Sequence, residues 1–163
     1  MPTRGVVYVH CVPLAVVPHA EWAIARVLGS PVRLAWATQP AEPGTRRAEC
    51  SWSGRVGTGA ELAAALRTWP MIRFEVTEEP SPGHDGERFM HVPGRGVFRA
   101  AMSVNGDIML TEDRVRSLID SIPSGDSLAH ELQRALGTAW DADLEPYRLA
   151  GDGAPATRLT QVS

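Results

Sequence analysis

Residues 5–11 read GVVYVHC. β-branched and aromatic side chains stand at successive positions, so the segment is apolar on both parities. A strand of that kind needs cover on both faces, which puts it inside a sheet between two layers. Downstream, Pro13 and Pro18 punctuate the chain, and Pro18 suits the first turn of a helix. Ala20, Ala23, Ile24, Val27 and Leu28 recur at helical spacing until Gly29 stops the run. PVRLAWAT (31–38) then alternates with Val32, Leu34 and Trp36 on one face, which predicts a strand. QPAEPGTRR (39–47) is a Pro/Gly loop, and AECSWSG (48–54) alternates again with Ala48, Cys50 and Trp52 on one side.

TGAE (58–61) reads as a capping box, Thr58 the N-cap and Glu61 three residues on. Leu62, Leu66 and Trp69 form that helix's stripe, Pro70 ends it, and MIRFEVT (71–77) returns to strand with Ile72, Phe74 and Val76 inward. The order so far is βαββαβ, the ferredoxin-like split unit. Three more strands follow at Phe89–Val92, Gly96–Val104 and Ile108–Leu110, joined by PGRG and by NGD, a strong hairpin signal. Thr111 with Glu112 and Asp113 opens a third helix whose stripe is Val115, Leu118, Ile119 and Ile122. After PSGD a fourth carries Leu128, Leu132, Ala135, Leu136, Ala139 and Trp140 and is expected to end before Pro146. The expected fold is α+β, one domain over residues 1–150: a ferredoxin-like βαββαβ half, extended by an antiparallel β-meander, with two C-terminal helices over the open sheet face. Residues 151–163 form a tail in which ATRLTQV is a candidate edge strand.

At 163 residues the chain is long enough to bury a core without disulfides or metals. Its net charge of −3 gives no reason to expect a polyanion partner. It has 16 arginines and no lysine, which removes Schiff-base chemistry and lysine phosphate grips. Two cysteines are too few for a disulfide framework or a four-cysteine zinc site. The apolar N-terminal stretch is interrupted by Tyr8, His10, Pro13 and Pro18 and carries no clean cleavage site, so it is not read as a signal peptide. No window approaches a membrane span. The expected location is the cytoplasm, with reduced thiols.

Several phrases stand out together: RGVVYVH (4–10), PHAEWA (18–23), RFEVTEEPSPG (73–83), NGDIM (105–109), GTAWD (137–141) and LEPYR (144–148). They resemble an actinobacterial family of small proteins catalogued as domain-of-unknown-function family 3145, over nearly the whole chain from Gly5 to about Gly153. The resemblance implies an actinobacterial cytoplasmic protein and brings no catalytic residues with it. It ranks fatty-acid metabolism first among systems that would hold a partner.

The polar stretch RFEVTEEPSPGHDGERFMHVPGRGVF (73–98) gathers the candidate chemistry. His84, Glu87 and His91 have the donor types of a zinc set, yet on a strand Glu87 and His91 lie about 13 Å apart, too far for one ion. Nucleophilic catalysis fails on geometry, because the adjacent His10 and Cys11 point to opposite faces of a strand. A His10–Cys50 pair across neighbouring strands stays open. GRVGTGAEL (54–62) offers backbone donors at a strand-to-helix turn but matches no phosphate-loop motif, and it reads as a capped tight turn. Nucleic-acid binding is disfavoured by the mild acidity and by the lack of an aromatic-rich recognition strand. Trp36, Trp52, Trp69 and Trp140 fall on apolar faces; Trp22 lies beside its helix stripe, flanked by His19 and Arg26.

Two functions compete on these readings. The first is a non-catalytic binding or accessory protein with a protein partner, contacted through Glu78, Glu79, His84, Asp85, Arg95 and Trp22. The alternative is a small-molecule binder or small enzyme with a pocket between the sheet and the C-terminal helices, for which Tyr8, His10, Arg73 and Glu75 are the first suspects. No cofactor, metal, nucleic acid or membrane is expected.

Overall fold

The computed structural model describes residues 2–122, 125–151 and 156–160. GVVYVHC lies inside β1 (Pro2–Pro13), a strand flanked on both sides by antiparallel partners: β3 (Thr45–Arg55) and β4 (Arg73–Glu78). Around it run β2 (Ala37–Thr38), β5 (Gly86–Val92), β6 (Gly96–Met102) and β7 (Ile108–Met109), giving the order β2-β3-β1-β4-β5-β6-β7 with every neighbour antiparallel. The candidate edge strand is present as β8 (Ala156–Thr160), parallel to β3 along Glu49–Ser53, while β2 takes Arg46 and Arg47. Residues 156–160 therefore pair with the sheet. The protein is α+β, with five helices among the described residues.

One face of the sheet carries the main apolar core. Val7, Val9, Ala48, Cys50, Trp52, Phe74, Val76 and Phe89 are buried there beneath α1 (Val17–Leu28) and α2 (Thr58–Leu66), which add Ala20, Ala23, Ile24, Leu28, Leu62, Ala63 and Leu66. At about 1.5–3 kcal/mol for each large side chain, this layer supplies most of the driving force. The opposite face is divided. Its apolar half gathers Met90, Val92 and Phe98 against Leu144 of α5 (Thr138–Leu149). Its polar half is the row Glu49–Tyr8–Glu75, set side by side by the register of β3, β1 and β4. α3 (Glu112–Ser121) and α4 (Gly125–Ala135) stack on each other, and α4 on α5. Of the stripe expected on α3 only Leu118 is buried, and Ile119 is exposed.

Three readings are corrected. Residues 31–36 do not pair: Val32 and Leu34 alternate because the chain lies across the α1 core, and Glu21 ties it down by accepting from Leu34 N at 3.1 Å and Trp36 Nε1 at 2.7 Å. The fourth helix is two, parted at Gly137 (φ 76), where a side chain would meet Phe98 at 2.8 Å and Met90 at 2.9 Å. Its second part runs through Pro146 to Leu149, because the packing of Leu144 and the ion pairs of Arg148 hold the last turn against the lost backbone bond.

The third correction concerns the cap of α2. Thr58 is the first helical residue, and the N-cap is Gly57 (φ 93), which has no side chain to cap with. The cap arrives from β4: Glu78 accepts from Gly57 N at 2.9 Å and Gly59 N at 2.8 Å. A carboxylate at a helix N-terminus gains from both the free N–H groups and the dipole. Glu78 is 4% exposed, so it is no part of an outer contact surface. Its neighbour Glu79 is exposed and pairs with Arg4. Glu78→Ala is expected to cost about 2–3 kcal/mol in urea unfolding, the loss of two charge-assisted hydrogen bonds. Glu79→Ala is expected to cost less than about 1 kcal/mol.

Candidate functional site

Strand β4 carries two acids three positions apart, so they leave the sheet on opposite faces. Glu78 goes to the helix layer; Glu75 goes to the divided face, where it is 4% exposed. An isolated carboxylate at that depth would be costly. Glu75 is instead fully engaged: Oε2 accepts from His10 Nε2 at 2.5 Å and Arg148 Nε at 2.9 Å, and Oε1 accepts from Arg148 Nη2 at 2.6 Å and Arg88 Nη2 at 2.7 Å. Arg148 reaches in from α5 and also donates to Asp141 at 2.9 Å. Burial alone would raise the Glu75 pKa, but the bonds from His10 and Arg148, the charge of His10 and the bond from Arg88 outweigh it and hold the carboxyl well below the usual range.

His10 is placed by an irregularity in the central strand. Val9 faces Ala48 and Val12 faces Arg46, so β1 carries one more residue than β3 over this span, and the same slip appears against β4. A bulge of this kind re-aims side chains. His10 stays on the divided face, stacked on Tyr8 at 5.8 Å between ring centres, while Cys11 and Val12 are both buried. Gln39, itself fully buried, holds the bulge by donating to the His10 carbonyl at 2.7 Å.

Beside this network opens a cavity of about 400 Å³, lined among others by Tyr8, His10, Arg47, Glu49, Glu75 and Arg88. Tyr8, His10 and Glu75 were legible as pocket suspects. Arg73 does not line the cavity; its guanidinium sits 4.5 Å over the ring of Tyr147. Arg88, Arg148 and Arg47 were missed. Arg88 had a signal, since it shares the parity of Met90 on a strand two removed from β1, but Arg148 is brought in by a helix that the sequence ends too early.

The thiols lie elsewhere. Cys50 is on the helix-covered face with its pKa pushed up to about 12 by burial, so it cannot meet His10. Cys11 donates to Glu42 at 3.0 Å and is pushed up to about 11, again by burial first. Neither is a thiolate at neutral pH. His91 packs on Phe74 beneath the helices and donates from Nδ1 to the Ile72 carbonyl at 2.6 Å, while Glu87 pairs with Arg99. The residues of the zinc set thus have separate tasks.

The expected contact surface is not continuous. Glu79, His84 and Asp85 lie in the β4–β5 turn and Arg95 in the β5–β6 turn, at opposite ends of a seven-residue strand, roughly 20 Å apart. Arg95 pairs with Asp143 on α5 at 2.7 Å. Trp22 stands 54% exposed on α1 and belongs to neither end.

Glu75→Gln is expected to lower stability at neutral pH by about 3 kcal/mol, since it strips a counter-charge from two partly buried arginines. Because the folded-state pKa is depressed, the contribution is complete above the ordinary value of 4.5 and drains away as pH falls below it. Denaturant titrations at several pH values should therefore show the gap between wild type and variant closing on acidification. A gap that stays constant down to low pH would contradict an ionised, ion-paired Glu75.

No curated protein and no solved structure matches this chain. Among the described residues no helix is long and apolar enough to cross a membrane. A family model described as protein of unknown function, DUF3145, matches residues 6–161, and the chain belongs to that family.

Proposed function

We propose that this protein is a non-catalytic binding protein whose ligand is a small polar molecule held in the cavity beside Glu75. The observation that carries this reading is the pairing of an open, roughly 400 Å³ cavity with a wall of fixed, mutually bonded charges. Ligand sites combine such a volume with a few convergent polar groups held in place by their own partners. The wall is built to hold rather than to react: Glu75 has its carboxylate oxygens spent on four donors, and the two thiols stay protonated. A cytoplasmic setting fits two buried, free cysteines. For the scaffold, we read β1 through β4 with α1 and α2 as a ferredoxin-like unit, a reading supported by the order β2-β3-β1-β4 with all neighbours antiparallel.

Thr77 lines the cavity from β4 and is half-buried, so Thr77→Phe fills the space with a residue suited to a strand. Saturation-transfer NMR against a panel of small polar metabolites is expected to give binders to the wild type that T77F, still folded by circular dichroism, no longer binds. Binders indifferent to T77F would place recognition outside this cavity.

A second reading, a docking site for a partner protein, is favoured by one observation. Trp22 is exposed, with the Arg26 guanidinium 4.8 Å over its ring, Trp69 edge-on at 6.5 Å and His19 stacked on Trp69 at 5.6 Å. Exposed aromatic and arginine pairs are typical interface anchors. Trp22→Ala is expected to change stability by less than about 1 kcal/mol and to abolish co-purification of a stoichiometric partner from the native host. Retention of that partner by the variant would remove Trp22 from its interface.

A further inference from the structure

The hydrogen-bond inventory of the cavity wall is lopsided. Both oxygens of Glu75 are spent. Arg148 is spent too, with Nε and Nη2 on Glu75, Nη2 also on Asp141, and Nη1 on Glu145 at 3.3 Å. Two other guanidinium groups in the same wall are not. Arg88 commits Nη2 to Glu75, with Asp141 Oδ1 3.8 Å from the same nitrogen, and its Nε and Nη1 have no hydrogen bond among the described residues. Arg47 commits Nη1 to the Gly151 carbonyl; its Nε is buried with no partner among the described residues. A buried donor left unmade is costly, about 1–3 kcal/mol and more on a charged group. Tyr8 adds a phenol between them, and its proton is held more firmly than usual, first by burial and then by Glu49 and Glu75.

The positions of these groups define a slot. Arg47 stands on β3 and Arg88 on β5, with β1 and β4 between them, so their strands are three spacings or about 14 Å apart. Arg47 and Arg88 both line the cavity, and Tyr8 and Thr77, which lie on the intervening strands, line it between them. Glu75 underneath fixes Arg88 in place, and the Gly151 carbonyl fixes Arg47. Glu49 is the exception in the wall: a carboxylate with no hydrogen bond or ion pair among the described residues, two positions from Arg47 on the same parity of β3.

We propose that the cavity binds a small organic oxyanion, its carboxylate or phosphate oxygens held between Arg47 and Arg88 and a hydroxyl or ammonium donor on the same molecule directed to Glu49. This rests on the cavity being the binding site. Planar guanidinium groups match the oxygens of either anion and hold them with charge-assisted bonds, and Glu49 disfavours a second negative charge at its end of the slot.

The test is calorimetry and NMR titration at low and moderate salt with matched probes: lactate against lactamide, serine against serinamide, succinate, inorganic phosphate and trimethyl phosphate. These are run on the wild type, Arg47→Gln, Arg88→Gln and the cavity-filling T77F. Arg47→Gln is the principal variant, because Arg47 lies outside the Glu75 network; Arg88→Gln serves as the second. The expected result is that lactate and phosphate bind at least tenfold more tightly than uncharged lactamide and trimethyl phosphate, and serine than serinamide, which keeps the ammonium but lacks the carboxylate. Either arginine variant should lose that preference, T77F should lose binding altogether, and lactate should exceed succinate. If uncharged probes bind as well as anions and T77F abolishes both, the oxyanion assignment is wrong while the cavity remains the site. Anions that bind all four proteins alike are held by scattered surface arginines, which overturns the assignment. If no probe of either class binds, the oxyanion assignment falls, and uncharged polar ligands from the metabolite panel that T77F excludes would still leave the cavity standing.

Discussion

The buried carboxylate of Glu75 is the constraint around which the second half of the molecule is arranged. It sits on a strand next to the central one, in a row with Tyr8 on one side and Met90 on the other. A charge there is tolerable only if cations are delivered to it, and Arg73, the cation on its own strand and face, lies over the ring of Tyr147 instead. Arg88 comes from the adjacent hairpin strand, His10 from the bulge in β1, and Arg148 from a helix 73 residues further along. The last of these ties the C-terminal helix to the sheet at Glu75. Leu144 adds the apolar contact beneath it, one turn earlier on the same helix. Docking of α5 thus depends on a hydrophobic contact for most of its energy and on an ion pair for its register.

The same strand shows how one sequence serves two layers. Phe74, Val76 and Glu78 face α1 and α2, and Glu75 and Thr77 face the cavity. Glu78 solves a different problem, the exposed N–H groups of a glycine-started helix, and Gly59 is small enough to let that carboxylate approach: a side chain there would meet Glu78 Oε2 at 2.9 Å. The backbone donors that GRVGTGAEL offers are therefore met by a carboxylate of the same chain. Opposite Glu78, Gly5 is required for a similar reason, since a Cβ would fall 1.7 Å from the Thr77 carbonyl oxygen.

What the sequence revealed and concealed follows from the range of the interactions involved. Period-2 and helical patterns are local, so β1, β3, β4, α1 and the 86–109 meander are legible, as are Tyr8, His10 and Glu75 on one face. Caps delivered from elsewhere in the chain are not local, so TGAE looked like a self-contained capping box. The strand expected at 31–38 pairs only at Ala37–Thr38, and over 31–36 burial against a helix produces the same alternation as a ladder. Pro146 and Gly137 misled in opposite directions: proline looked like the end of a helix that tertiary contacts carry past it, and a single glycine split a stripe that is apolar on both sides of it. Arg148 was invisible for that reason, and with it the closing wall of the site. The expected contact residues are spread out because a stretch that is continuous in sequence lies at two ends of a strand, and Glu78 is turned inward beneath α2.

Stability does not account for the ion cluster. A buried set of charges seldom outperforms apolar side chains of similar volume, because desolvation consumes most of the Coulombic gain. A leucine at position 75, between Met90 and the α5 face, would extend the cluster of Met90, Val92, Phe98 and Leu144 without needing His10, Arg88 or Arg148 at all. The chain instead holds an acid there, places a bulge so that His10 reaches it, and runs a helix through a proline so that Arg148 closes over it. Each of these departs from the cheaper local choice, and all of them converge on the rim of one cavity. Local rules broken together at one place are where function is expected to override stability, and that convergence is what supports the binding proposal.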